Sequence, residues 1–117
     1  MTNRRNGFDA VIGNPPFLGG KRISTILGNE YRDFLRVAHD DATSNADLVS
    51  YFFRTSFDRL GSGGSMGLVA TNTIAQGDTR AAGLTSICRR GGVIYAASRR
   101  YKWPGAASVV RVFQFAW

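Results

Sequence analysis

The chain has 117 residues, 44% of them hydrophobic and 20% charged, an ordinary composition for one globular domain. No apolar run approaches the roughly 20 residues that a membrane-spanning helix needs, and the amino terminus lacks the apolar stretch of a signal peptide. We therefore expect a cytoplasmic protein that makes no membrane contact. The single Cys88 excludes an internal disulfide and argues against a metal site, which needs several ligands. The net charge of +7 favours a polyanionic partner such as nucleic acid.

Hydrophobic periodicity predicts strands that alternate with helices along the chain. In chain order these are a strand at 8–13, helices at 29–37 and 46–60, a strand at 66–71, a helix at 81–90 and strands at 93–97 and 108–117. Such an alternation is typical of an α/β fold with a mostly parallel sheet. The last two strands have no clear helix between them, so we expect the last strand to run antiparallel.

Three stretches between these elements are predicted to be connections. Residues 18–22 contain two glycines and are expected to form a flexible loop, and residues 73–80 are polar. The glycines at 61–64 are expected to end the second helix, although they superficially resemble a dinucleotide-binding loop. That fingerprint must follow a strand and open a helix. Here the predicted order is helix, glycines, strand, which argues against a phosphate-binding role.

Four residues directly after the first predicted strand stand out: Asn14, Pro15, Pro16 and Phe17. Two consecutive prolines cannot donate to a sheet ladder, so the strand must stop before them. Because proline pushes the preceding residue out of the helical region, Asn14 is expected to be extended at the strand's carboxyl end. In open α/β sheets that end is where ligands bind.

The groups in this turn suit an exocyclic amine on a nucleobase. The Asn14 side-chain oxygen and the Pro15 carbonyl can each accept one of the two amine hydrogens, and Phe17 can stack on the ring. Pro-Pro is also a common loop signal, so an ordinary turn at the end of a strand is the alternative interpretation.

Asn14 to Phe17 resemble the Asn-Pro-Pro-aromatic motif of amino-group methyltransferases that use S-adenosylmethionine. Residues 8–22, 46–53 and 67–80 extend this likeness to bacterial adenine-specific DNA methyltransferases of restriction–modification or related phage-defence systems. The resemblance implies methyl transfer from S-adenosylmethionine to the amine of a flipped adenine in DNA. An RNA methyltransferase, or one acting on cytosine or on a glutamine side chain, would share the motif.

The resemblance also implies roles for individual residues. The catalytic residues would be Asn14, Pro15, Pro16 and Phe17, with Asn14 and Pro15 also facing the cofactor. The substrate would be bound by Phe17, Lys21, Arg22, Asn72 and Trp103. Asp47 would open the helix that follows the motif, where a first-turn carboxylate is equally expected from the helix dipole alone. Trp103 would stack on the base or simply pack. No residue is assigned to a metal.

The implied fold is a partial Rossmann-like methyltransferase fold that contains strands four to seven of the family's sheet. In this family a glycine-rich loop and an acidic residue that bind the cofactor precede the motif, whereas only seven residues precede Phe8 here. Residues 1–117 are therefore expected to form a single partial catalytic domain whose cofactor-binding half is missing. We expect the isolated chain to be inactive and to need that half or a recognition subunit as a partner. A catalytically silent nucleic-acid-binding remnant or subunit is the alternative.

Overall fold

A computed structural model of the chain describes residues 6–39, 46–102 and 109–116. Its elements in chain order are β1 (Phe8–Gly13), α1 (Gly20–Leu27), α2 (Asn29–Ala38), α3 (Leu48–Asp58), β2 (Leu60–Ala70), a 3₁₀ turn (Asn72–Ala75), α4 (Gly77–Arg80), a π-helical turn (Ala81–Thr85), α5 (Ser86–Arg89), β3 (Val93–Lys102) and β4 (Val109–Ala116). The segments α4, the π-helical turn and α5 follow one another without a gap. None of the helices that these residues form could span a lipid bilayer.

The four strands form one sheet in the order β1-β2-β4-β3. β1 pairs with β2 in parallel, and β4 runs antiparallel to both of its neighbours, β2 and β3. The predicted α/β architecture is thus confirmed: β1, β2 and β3 run in the same direction, and the last strand is antiparallel as expected. Because Gly13 pairs with Leu68 and Lys102 pairs with Val109, the carboxyl ends of β1, β2 and β3 lie at the same end of the sheet.

The main core lies between α3 and one face of the sheet. Val49, Phe53 and Phe57 recur every four residues along α3 and are each no more than 1% exposed, so they form one apolar stripe. At the carboxyl end of β2, the alternating residues Met66, Leu68 and Ala70 belong to the same core, as the period of a strand requires. Full burial of each such side chain contributes roughly 1.5–3 kcal/mol.

A second apolar cluster fastens the first two helices to α3. It joins Ile23 of α1 and Leu35 of α2 to Leu48 and Tyr51 of α3, and Leu18 packs against it from the preceding segment. The burial of these apolar side chains against α3 therefore holds α1 and α2 in position.

Two of the predicted loops are wrong. Residues 18–22 were expected to be a loop, but α1 begins at Gly20. The burial of the Ile23 side chain and a hydrogen bond from the Gly20 N–H to the Asp47 carboxylate stabilise this start of the helix. Residues 61–64 belong to β2, where the register against β1 shifts. A Cβ at Gly64 would lie 2.8 Å from the Phe8 carbonyl oxygen, so only glycine permits this close approach of the two strands.

Several predicted boundaries also move. The polar connection at 73–80 contains a 3₁₀ turn and the start of a helix at Gly77. α3 is two residues shorter at each end than the predicted helix at 46–60, and β3 continues to Lys102 instead of ending at residue 97.

Candidate active site

The segment with the two prolines lies where the sequence places it, at the carboxyl end of β1. β1 ends at Gly13, and residues 14–19, which we call the motif loop, have no regular secondary structure before α1 begins. Asn14 is exposed, Pro15 is buried, and Phe17 is 44% exposed. The loop is thus anchored through one proline while its amide and its aromatic ring stay accessible to a ligand.

The far end of the motif loop is held by Asp47, at the start of α3. The Gly20 N–H donates to Asp47 Oδ1 at 2.9 Å, and the Leu48 N–H donates to the Leu18 carbonyl oxygen at 2.8 Å. Asp47 is the N-cap residue of α3 by position, yet its side chain makes no capping hydrogen bond there. Its carboxylate instead satisfies an amide at the amino terminus of α1, where a negative charge is favoured.

Asp47 is itself fixed by its neighbours. Its N–H donates to the hydroxyl of Thr79 in α4 at 3.0 Å, and its carbonyl oxygen accepts from both the N–H and the hydroxyl of Ser50, at 3.0 and 2.7 Å. Thr79 and Ser50 are buried. No local sequence pattern indicates the contact between Asp47 and Thr79, because 32 residues separate the two partners.

The other predicted substrate residues divide into three groups. Lys21 and Arg22 are exposed in the first turn of α1, directly after the motif loop, so two cations follow the motif. Asn72 is exposed at the start of the 3₁₀ turn after β2, and the parallel pairing of β1 with β2 brings it to the same end of the sheet as Asn14. Trp103 lies outside the described residues.

An apolar groove of about 310 Å³ lies on the face of the sheet opposite α3. It runs along β1 and β2 up to Gly13, the residue before the motif loop. Its walls include Ile12, which is 88% exposed, and Tyr95, which is 57% exposed. No described helix covers this side of β1 and β2, whereas the opposite face packs on α3.

Comparisons with known proteins identify one matching family and two similar proteins. The family model described as "Eco57I restriction-modification methylase" matches residues 1–87. The type II methyltransferase M.XhoI of Xanthomonas vasicola is 34% identical over 65 residues, which are 56% of this chain and 11% of that protein. The type IIL restriction-modification enzyme MmeI, solved in complex with DNA, is similar in fold, with a TM-score of 0.60 at 23% identity over 92% of this chain and 15% of that one. The chain therefore spans a small part of the length of either protein.

Proposed function

The chain belongs to the Eco57I restriction-modification methylase family, and we propose that its motif loop binds the amino group of a flipped adenine in DNA and presents it for methylation. The observation that carries this proposal is the loop itself. A buried Pro15 holds it at the carboxyl end of β1 while Asn14 and Phe17 stay accessible, and ligands of open α/β sheets bind at that end.

The motif loop can act on the amine without a general base. The Asn14 side-chain oxygen and the Pro15 carbonyl oxygen each accept one N–H, which orients the nitrogen lone pair away from the loop. As the nitrogen attacks, positive charge develops on it, and these two oxygens stabilise that charge more than the neutral ground state. Phe17 would stack on the adenine ring and contribute about 1–3 kcal/mol toward the cost of extruding the base.

S-adenosylmethionine is the methyl donor that the family resemblance implies, and when bound it supplies an electrophilic methyl group. Asn14 and Pro15 are the described residues that would face it. We propose that other residues of a complete enzyme supply the rest of the cofactor site, since no G-x-G-x-x-G stretch among the described residues follows a strand and opens a helix. We expect calorimetry of the chain with S-adenosylmethionine to show weak binding or none.

DNA is the proposed partner. MmeI, which this chain resembles in fold, was solved in complex with DNA. This chain carries a net charge of +7, and Lys21 and Arg22 are exposed directly after the motif loop. If each of the two contacts one phosphate, replacing one by alanine lowers the salt dependence of DNA binding by about 0.9 in the log–log slope. Binding measured against salt concentration, with Arg36→Ala in α2 as the control, tests these contacts.

Hydrogen bonding of the motif loop to the amino group can be tested by NMR titration of the chain with two nucleosides, adenosine and purine riboside. They share one ring system, but purine riboside lacks the amino group. Since two hydrogen bonds are at stake, we expect adenosine to bind about tenfold more tightly. Asn14→Ala leaves only the Pro15 carbonyl as an acceptor and should reduce the difference to about threefold. Equal binding of the two nucleosides by the unmodified chain would contradict the proposed site. Cytidine in the same assay tests whether a cytosine amine is the substrate instead.

In a complete methyltransferase that carries this chain, we expect Asn14→Ala and Pro15→Ala to lose methylation while much of the DNA binding is kept. Pro15→Ala retains the backbone carbonyl, so its effect would report the stiffness of the loop. Methylation of DNA, RNA and protein substrates by the unmodified enzyme separates the substrate classes. If both variants methylated DNA normally, the assignment of the motif would be wrong.

One observation favours a second function for the chain, as a subunit completed by another segment or protein. Ile12, Tyr95 and Val93 are 88%, 57% and 57% exposed, and β1 pairs with β2 alone among the described strands. Exposed apolar side chains beside an open strand edge favour association. Sedimentation velocity should show concentration-dependent association that Ile12→Lys abolishes; a monomer at all concentrations would argue against this role.

A further inference from the structure

The motif loop is fixed at both ends by different kinds of contact. At its start, Gly13 pairs with Leu68 in the parallel ladder. At its end, two consecutive residues of another segment, Asp47 and Leu48, bind the Gly20 N–H and the Leu18 carbonyl. The residues between these anchors have no regular secondary structure. The conformation in which the loop presents Asn14 therefore depends on where the Asp47–Leu48 segment holds the loop's far end.

The carboxylate of Asp47 is placed for this task by bonds to its backbone. Thr79 accepts from its N–H, and Ser50 donates twice to its carbonyl oxygen. With Ser50 and Thr79 buried, the Asp47 backbone is held from α3 on one side and from α4 on the other. The side chain is thereby directed at Gly20, 27 residues earlier in the chain, and away from the amides of its own helix.

We propose that Asp47 is a positioning residue for the motif loop and that Thr79 is the group that keeps Asp47 in place. The consequence for substrate binding rests on the proposed function, whereas the hold on the loop does not. Removing the carboxylate takes away one of the two hydrogen bonds that hold the far end of the loop, and Asn14 and the Pro15 carbonyl then no longer keep the spacing that two amine hydrogens require.

The hold on the loop is tested by amide hydrogen exchange in the full 117-residue chain. Asp47→Ala removes the acceptor of the Gly20 N–H, and we expect exchange of that amide to accelerate about 10- to 100-fold, as is usual for a lost hydrogen bond to a charged group. Asp47→Asn keeps an oxygen at the same position and should leave most of the protection. Asp58→Ala is the matched control, because it removes another carboxylate, one paired with Arg90. Unchanged Gly20 exchange in Asp47→Ala would overturn the proposal.

The positioning role is tested by the preference for adenosine over purine riboside in the same variants. We expect Asp47→Ala to lose most of this preference, Asp47→Asn to restore it, and Asp58→Ala to leave it intact. Faster Gly20 exchange with an unchanged preference would overturn the positioning role, since the loop would then present Asn14 without the carboxylate. If the unmodified chain shows no preference, the proposed function fails, while the exchange result still decides whether Asp47 holds the loop.

A milder variant covers the case in which Asp47→Ala does not fold. Thr79→Val keeps the shape of the side chain but removes the oxygen that accepts the Asp47 N–H, and Thr79→Ser restores it. We expect Thr79→Val to accelerate Gly20 exchange several-fold, with Thr79→Ser close to the unmodified chain. If Thr79→Val leaves Gly20 exchange unchanged, Thr79 does not keep Asp47 in place.

Discussion

Two buried serines differ in one respect that predicts opposite effects of the same substitution. Ser50 in α3 is fully buried and donates to the Asp47 carbonyl oxygen at 2.7 Å. Ser86 in α5 is 2% exposed, and its hydroxyl finds no hydrogen-bond partner among the described residues. Ser50→Ala therefore removes a hydrogen bond, whereas Ser86→Ala removes a buried hydroxyl that has no hydrogen-bond partner among the described residues.

The magnitudes follow from these two environments. The Asp47 carbonyl oxygen keeps the Ser50 N–H as a donor, so Ser50→Ala leaves no buried acceptor empty and should destabilise by about 1 kcal/mol. Ser86→Ala relieves an unsatisfied hydroxyl and should stabilise by about 1 kcal/mol. Alanine is the better helix former in both helices by less than about 0.7 kcal/mol, which moves both values in the same direction. The gap between the variants should thus be about 2 kcal/mol.

Thermal and urea denaturation followed by circular dichroism measure this gap. For a chain of this size about 1 kcal/mol corresponds to about 4 °C, so the two melting temperatures should differ by roughly 8 °C, with Ser86→Ala above the unmodified chain. Equal melting temperatures, or a Ser86→Ala variant below the unmodified chain, would refute the reasoning, because the Ser86 hydroxyl must then make a stabilising bond.

Two further predictions concern the core. Burial raises the pKa of the Tyr51 phenol above its ordinary value of 10.0. The stability that the neutral phenol contributes is therefore complete below about pH 10 and is lost as the pH rises through the raised pKa. In urea titrations from about pH 8 to about pH 11, Tyr51→Phe should flatten the alkaline decline of the unfolding free energy. A Cβ at Gly92 would lie 2.6 Å from Ile87 Cγ2 and 2.8 Å from Phe57 Cε2, so Gly92→Ala should destabilise by about 1–3 kcal/mol. Gly13→Ala, whose Cβ would meet only Leu68 Cδ2 at 3.5 Å, is its control in the same denaturation assay, and a similar loss in both would contradict the packing argument.

The elements that the sequence predicted are those whose apolar periodicity is strong enough to show locally. The α3 stripe of Val49, Phe53 and Phe57 has helical spacing, and the alternation in β2 has strand spacing. The errors fall where distant contacts decide the local conformation. α1 opens with glycine, which disfavours a helix, and depends on the burial of Ile23 and on a carboxylate 27 residues away.

The site could be predicted in part, for the same reason. Local rules suffice to end β1 before two prolines and to leave Asn14 at the strand's carboxyl end. No local rule links Asp47 to Thr79, and a first-turn carboxylate is ordinarily explained by its own helix dipole. The roles of Asn72 and of Trp103, which lies outside the described residues, stay predictions. Substituting these two residues in the nucleoside and DNA-binding experiments would test them.

The contacts that hold the motif loop and those that complete the sheet fall in different parts of the chain. Gly20, Asp47 and Thr79 all lie within residues 1–87, the segment that matches the family. The β3–β4 hairpin lies after it, and β4 pairs with β2 from Ser65 to Ala70. Leu68 of β2 pairs with both Gly13 of β1 and Phe113 of β4, so the hairpin supports the strand to which the start of the loop is anchored. The family-matched segment therefore sets the geometry of the loop, while the hairpin supplies the second neighbour that β2 needs to hold that geometry.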